Sequence, residues 1–426
     1  MELHPILEKG ECPAKPKIWY VISAGGISPP SMRVGHSATA LQSSQTKVLL
    51  LGGGNPNGVF PENHLLNLDS YEWEEAKWSG LKGRYEHTAF IASSCSGKVF
   101  VFGGANQAGN MNDMQVLELG AGQWTNITAS GEAPTARTCR GSAVLGDQLY
   151  IFCGGEQGAD PVSDCKLHVF DATTSAWTQP SVNGKVPKAR HGHILVTVGT
   201  KLYLHGGMAR ESIYDDLFEY DIETSTWKQI KCTGDIPPGT AAHGAVAHNQ
   251  DIVIFGGMTK NGASDSTYIL NTETFQWKKI ELSGPPPASR LDHAMCVVKM
   301  NFQRAPSPME PSVEVSKDVP AGIVDITDNA MFVVDGIQQD LPAQGAGDST
   351  PRAQAESSEE RLSNQEENDI SAPEVKRDAE ERVTRGVTPG TTGDSSDSIT
   401  CVLVHGGMDT GGQIFDDCLV MRLDDL

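Results

Sequence analysis

The chain has 426 residues, with 45 Gly, 24 Pro and a formal net charge of −21. That acidic balance speaks against a nucleic-acid binder, which needs clustered Lys and Arg, and against simple adsorption to an anionic membrane. No run approaches the roughly 18 apolar residues of a membrane helix, and residues 1–17 have no apolar signal core, so a cytosolic setting is expected.

The first apolar segment is Lys17-Ile-Trp19-Tyr-Val-Ile22, whose Trp belongs to no repeat downstream of it. A repeat then runs from residue 25 to residue 300. Its strongest mark is an apolar run ending in two glycines. The copies are Val48-Leu-Leu-Leu-Gly52-Gly53, Val99-Phe-Val-Phe-Gly103-Gly104, Tyr150-Ile-Phe-Cys-Gly154-Gly155, Leu202-Tyr-Leu-His-Gly206-Gly207 and Ile252-Val-Ile-Phe-Gly256-Gly257, with a sixth at Val402-Leu-Val-His-Gly406-Gly407. Between second glycines the intervals are 51, 51, 52, 50 and 150 residues. The last is one repeat plus an insertion.

Other residues keep step with the glycines. Trp73, Trp124, Trp227 and Trp277 lie 20 residues after the second Gly, and Trp177 lies 22 after it. An acidic residue stands nine after it at Glu62, Asp113, Asp164, Asp216 and Asp416; the fifth repeat has Ser266 there, with Asp265 one step early. Upstream of each pair sits an Arg-x-x-His tetrad: Arg33 to His36, Arg84 to His87, Arg190 to His193 and Arg290 to His293 are intact. The third copy reads Arg137-Thr-Cys-Arg140 and the fifth Thr240-Ala-Ala-His243.

Each repeat thus reads as four short strands. Strand a follows the tetrad, b ends at the glycines, c follows the acidic residue and d carries the Trp. Strand b is apolar throughout, as a strand covered on both faces must be. One four-stranded sheet cannot bury both faces, whereas a ring of sheets can. The expected fold is all-β, a six-bladed β-propeller. The sixth repeat ends after strand c, so the segment around Trp19 is expected to supply its strand d and close the ring. The organisation is then 1–24, the closing segment; 25–300, blades one to five and the first strand of blade six; 301–398, an insertion; and 399–426, the rest of blade six. The insertion holds 20 acidic and 8 basic residues, with no Trp, Tyr or Cys. It is too poor in apolar side chains to offset its ordering entropy, and disorder is expected.

Strand order puts the d–a and b–c turns on one face. That face is expected to gather Arg33, Arg84, Arg137, Arg190 and Arg290 with Tyr85 and Asp292, beside Asn55, Asn106, Gln107, Glu156, Gln157, Arg210 and Lys260. An arginine ring suits a carboxylate- or phosphate-bearing protein partner. The competing reading has each Arg bonding carbonyls or acidic residues of the neighbouring repeat, and each His anchoring strand a.

Catalytic signatures such as GxSxG, HExxH, a Walker loop or a dinucleotide fingerprint are absent from the sequence. His191-Gly-His193 is a bare HxH and weak evidence for a metal. No catalytic residue, cofactor or metal is expected. The nine cysteines include no CxxC pair and read as free thiols.

The paired glycines, acidic residue and Trp at this spacing resemble the kelch repeat, over residues 17–300 and 399–426. Arg84-Tyr-Glu-His87, Phe102-Gly-Gly-Ala-Asn-Gln107, Lys166-Leu-His-Val-Phe-Asp171 and Arg290-Leu-Asp-His293 are similar to segments of the family of Rab effector proteins with kelch motifs. So is the acidic interruption of the sixth repeat. That resemblance implies a non-catalytic effector of a GTP-bound late-endosomal Rab GTPase in endosome to trans-Golgi transport. It implies a cytoplasmic protein with a peripheral endosomal pool, held there through partners only. Other functions open to a propeller are an enzyme or metal-dependent specifier protein, or a ubiquitin-ligase substrate adaptor. Arg140, where His is expected, departs from the family pattern.

Overall fold

The computed structural model describes residues 3–41, 46–302, 397–424 and 426. The acidic insertion and the disorder expected of it lie outside the described residues, apart from a few positions at its two edges. Among the described residues, no helix is long and apolar enough to cross a membrane.

The described chain forms six antiparallel four-stranded sheets in a ring, a β-propeller. Blade two shows the pattern: Thr88–Phe90 (a), Lys98–Phe102 (b), Met114–Glu118 (c) and Gln123–Ile127 (d) pair in sequence order. Strand b loses nearly all its surface in every blade. Val48 to Leu51, Phe152 and Phe255, for example, are 0–1% exposed, which accounts for the unbroken apolar runs.

Each Trp of the repeat fills the wedge behind its own sheet. Its ring packs on the last residue of strand b in the preceding blade: Trp177 on Phe102 at 4.8 Å, Trp227 on Phe152 at 5.2 Å, Trp277 on His205 at 5.1 Å. Trp73 meets His405 of blade six at 5.6 Å, carrying the same contact across the join. The indole N–H of Trp124 donates to a side chain, Asn63 Oδ1, at 2.9 Å.

The two ends of the sequence build blade six together. Tyr20–Ile22 is its strand d, antiparallel to strand c, Cys418–Arg422. Trp19 is fully buried against Phe255 of blade five, at 5.2 Å. Strands a and b of this blade, Ala294–Phe302 and Asp397–His405, run longer than in the other blades and extend into both edges of the insertion.

Five blades carry a fifth, short parallel strand on the outer edge of d, such as Ser130–Gly131 beside Ala176–Thr178. In blades three, four and five this segment comes from the connection out of the preceding blade. Pairing the edge in this way leaves less template for another chain.

Blade three departs from the expected glycine register. In other blades the first Gly has φ between 61° and 70° and follows strand b directly. A Cβ at Gly52 would stand 2.5 Å from the Arg84 carbonyl oxygen, so a side chain is doubly unwelcome there. In blade three strand b ends at Phe152, and the next residue, at φ 53°, is Cys153. The structural pair is therefore Cys153-Gly154, one residue earlier than the sequence pair Gly154-Gly155.

Candidate functional site

The loops at the d–a and b–c face hold nearly every candidate residue, and the structure separates them into an internal belt, an axial ring and an outer collar.

The five tetrad arginines form the belt. Arg33, Arg84, Arg137, Arg190 and Arg290 are all 0% exposed, which corrects the expectation of a partner-facing arginine ring. Each guanidinium donates to the carbonyl of the first pair residue of its own blade: Gly52, Gly103, Cys153, Gly206 and Gly406, at 2.9–3.1 Å. Each also pairs with a carboxylate of its own blade: Glu62, Asp113, Asp164, Asp216 or Asp417. The partner in blade six is Asp417, not Asp416. Contacts stay within one repeat, not between neighbours as the competing reading had it. Burial works against the Asp113 carboxylate, but hydrogen bonds from Arg84 and Lys82 outweigh it and hold its pKa below the usual value. Arg33, Arg190 and Arg290 also stack over Phe60, Tyr214 and Phe415, at 4.1–4.4 Å. A charge paired on all sides in this way fixes loop geometry and offers nothing to a ligand.

The third and fourth tetrad residues form the axial ring. The third residue adopts a left-handed conformation in five blades: Gly35, Glu86, Gly192, Ala242 and Asp292. Its backbone N–H reaches the neighbouring blade. Asp292 N donates to Ala242 O, Ala242 N to Gly192 O, Gly35 N to Asp292 O, Glu86 N to Gly35 O and Cys139 N to Glu86 O, at 2.6–3.0 Å. In blade three the place of the imidazole is filled one residue early. Cys139 takes the third-residue place in the ring, and its thiol sits by Gly103 where an imidazole carbon sits by Gly52, Gly206, Gly256 and Gly406.

Arg140 is thereby free to enter the channel. Its Nη1 lies 2.5 Å from Asp292 Oδ1, and its Nη2 donates to the His293 carbonyl. Below this pair, His36, His87, His193, His243 and His293 line a cavity of about 190 Å³ with Ser37, Thr88 and Ser142. Burial drives these imidazoles neutral. Burial first, and then Arg84, puts His87 at about 3; burial and Arg190 put His193 at about 3. His36 Nε2 lies 3.0 Å from His405 Nδ1, and His243 Nε2 lies 3.2 Å from His205 Nδ1. Glu86, at the channel mouth, is raised to about 7 by burial and then by Asp292. Among the described residues, no group of three or more His, Cys, Asp or Glu is arranged to hold a metal ion.

The outer collar consists of the b–c hairpins. They touch in sequence around part of the ring: Asn110 Nδ2 donates to Glu156 O at 2.7 Å, and Arg210 N donates to Ala159 O at 2.8 Å. Gln107, Glu156, Gln157 and Lys260 are exposed here. Arg210 is 83% exposed and pairs with Asp160 of the preceding hairpin at 2.8 Å. Asn106 is half-buried, its carbonyl accepting from Ala108 N, and Asn55 does the same for Asn57 N. Tyr85 is half-buried and bridges Ala105 through its backbone. Of the expected face, then, Gln107, Glu156, Gln157, Arg210 and Lys260 are accessible, Tyr85, Asn55 and Asn106 partly so, and Asp292 is turned to the axis.

Sequence reasoning missed Glu86, Arg140 and the axial place of the histidines. A signal for the buried belt was present. Blade five is the one repeat that lacks both the Arg, replaced by Thr240, and the acid, replaced by Ser266. Joint loss marks two groups that need each other.

A family model described as the KLHDC2/KLHL20/DRC7 Kelch-repeats domain matches residues 35–257, and a Kelch motif model matches residues 239–281. The chain is 46% identical over 222 residues to the "Rab9 effector protein with kelch motifs" of Bos taurus, covering 51% of this chain and 59% of that protein. To the protein of that name in Danio rerio it is 38% identical over 233 residues, covering 51% and 66%. "Tip elongation aberrant protein 1" of Schizosaccharomyces pombe is 28% identical over 142 residues, 33% of this chain and 12% of that protein. The chain spans less than two thirds of the length of each.

Proposed function

This chain belongs to the kelch-repeat family, and on that premise we propose that it is a non-catalytic interaction scaffold, an effector of a GTP-bound Rab GTPase of the Rab9 kind. The observation that carries the reading is the 46% identity to relatives named as Rab9 effectors. The geometry of the accessible collar is compatible with it. Four hairpins present Gln107, Glu156, Gln157, Arg210 and Lys260, a mixed polar surface of the kind found at the rim of transient interfaces.

The role extends, in this proposal, to late-endosome to trans-Golgi transport. The protein is cytoplasmic, with an endosomal pool recruited through its partner. The contact residues are taken to be Tyr85, Gln107, Gln157, Arg210 and Lys260. The buried arginines are left out of the contact set, because their guanidiniums are already spoken for.

The test is capture of the full-length protein by a panel of Rab GTPases loaded with GTP or GDP. Selective binding of the GTP form of one late-endosomal member supports the reading. Binding that ignores the nucleotide, or none across the panel, removes it. A combined Gln157→Ala, Arg210→Glu, Lys260→Glu variant locates the face: capture should fall with the melting temperature unchanged.

A further inference from the structure

The outer edges of blades four and five are built to one register and differ in the residue that finishes them. In each, a short parallel strand lies beside strand d: Asn183–Gly184 beside Thr226–Ile230 in blade four, and Thr233–Gly234 beside Gln276–Lys279 in blade five. Gly184 pairs with Trp227 and Gly234 with Trp277. The N–H of the next residue, Lys185 or Asp235, then donates to the carbonyl of that Trp, at 2.9 Å in both. There the outer strand ends, and the rest of the edge of strand d is left open.

Blade five closes the opening itself. Its Lys279 N–H, two residues past the Trp, donates to Asp235 Oδ2 at 3.1 Å. By the same register, the counterpart in blade four is the Gln229 N–H, and Lys185 stands where Asp235 does. An ammonium only donates, so it cannot take that N–H. Lys185 Nζ donates instead to the Gln229 side-chain carbonyl. The outer strand of blade four thus sets a cation, and no acceptor, beside an outward backbone donor.

The charge around this edge agrees. Lys185, Lys228 and Lys231 line one open groove with Gln229 and Ile230, and all three lysines are exposed. No carboxylate among the described residues lines it, and none is paired with any of the three. Elsewhere on the ring Lys47, Lys82, Lys98 and Lys201 each meet a carboxylate. On a chain of net charge −21 the groove is a local reversal of sign.

We propose that the outer edge of blade four is a docking site for an extended acidic segment of a partner protein. The segment adds to the open edge of strand d through main-chain hydrogen bonds. One of its Asp or Glu carboxylates takes the Gln229 N–H beside Lys185, in the place that Asp235 fills in blade five. Its other acidic side chains meet Lys228 and Lys231. The site uses none of the collar residues and stands apart from the Rab reading.

The experiment uses the full-length protein and two fluorescein-labelled peptides, one of alternating Glu and Val and one of alternating Gln and Val. Fluorescence anisotropy should show saturable binding of the acidic peptide alone. Lys185→Asp installs the residue that blade five uses and closes the edge from within. Affinity for the acidic peptide should then fall about tenfold or more, the worth of one lost charge-assisted hydrogen bond, with the melting temperature unchanged. Lys166→Asp makes an equal change of charge at an exposed lysine outside the groove, and should leave affinity within about twofold. Hydrogen exchange should find the Gln229 amide fast in the free protein and protected once the acidic peptide is bound. Equal binding of the two peptides, or an equal loss in Lys185→Asp and Lys166→Asp, overturns the proposal. So does protection of the Gln229 amide before any peptide is added, because another part of this chain or a second copy then already fills the edge.

Discussion

Arg140 Nη1 lies 2.5 Å from Asp292 Oδ1, and the pair joins blade three to blade six, the blade opposite it, across the axis of the ring. Apart from the bond of the same guanidinium to the His293 carbonyl, the other repeat-to-repeat hydrogen bonds described above run between neighbours. Arg140→Ala should therefore cost about 1.5–3 kcal/mol, the range for hydrogen bonds to charged groups. A double-mutant cycle with Asp292→Asn, read by denaturant unfolding, should show a coupling of about 0.5–3 kcal/mol. Additive single changes would mean that the strut carries no energy.

The arginine belt predicts a purely structural phenotype. Arg190→Ala leaves Asp216 half-buried with no counter-charge and strips a donor from the Gly206 carbonyl. Unfolding free energy should fall by about 3–5 kcal/mol. Partner capture per folded molecule should hold steady. A fall in capture with unaltered stability would return the arginines to the binding face.

Closure of the ring rests on one indole. Trp19→Ala should cost about 3–5 kcal/mol, the range for a buried aromatic. Removing residues 1–24 should expose the edge of Cys418–Arg422 and promote aggregation, visible by light scattering. A truncated protein that melts at the full-length temperature and stays monodisperse contradicts the closure.

Acid should loosen the fold well above the carboxylate range. His87, His193 and His405 are held at about 3 and His205 at about 4, burial being the first cause in each. An unfolded His takes its proton near 6.5. Between those values the unfolded chain binds more protons, so the stabilisation is complete above about pH 6.5 and drains away as pH falls toward the folded values. Each such group removes at most about 1.4 kcal/mol per pH unit. The carboxylates of Glu62 and Asp113, held low against burial first by Arg33 and Arg84, and of Asp164, held low against burial by the Lys166 N–H and His168 before Arg137, add to the loss below about pH 4. Melting temperature measured from pH 7 to pH 5 should decline steadily; a flat profile would show that these imidazoles protonate in the folded state.

The architecture was legible because its signals repeat. Six glycine pairs and six Trp, Trp19 among them, are enough to set blade number, strand order and the closing role of the first strand. What escaped was whatever one repeat does differently. Cys153 takes a glycine's conformation with no glycine there to announce it. Arg140 reaches the channel because the Cys139 thiol already stands by Gly103, where other blades place an imidazole, and nothing in the letters Arg137-Thr-Cys-Arg140 announces that exchange. The arginines misled for a different reason. Topology gives the face on which a residue starts but not the direction its side chain takes, and these five turn inward to meet the carboxylates that recur at a fixed offset.

The shared construction of blade six also has a consequence for biosynthesis. Tyr20–Ile22 leaves the ribosome early, yet the strand it must pair with, Cys418–Arg422, emerges almost 400 residues later. At about 5–20 residues per second that is on the order of 20–80 s. For that interval Trp19 and its neighbours have nowhere to dock, and the partly made ring has a bare margin at each side. Nascent molecules of this protein should depend on chaperones for just that span, and be released from them when the last strand arrives.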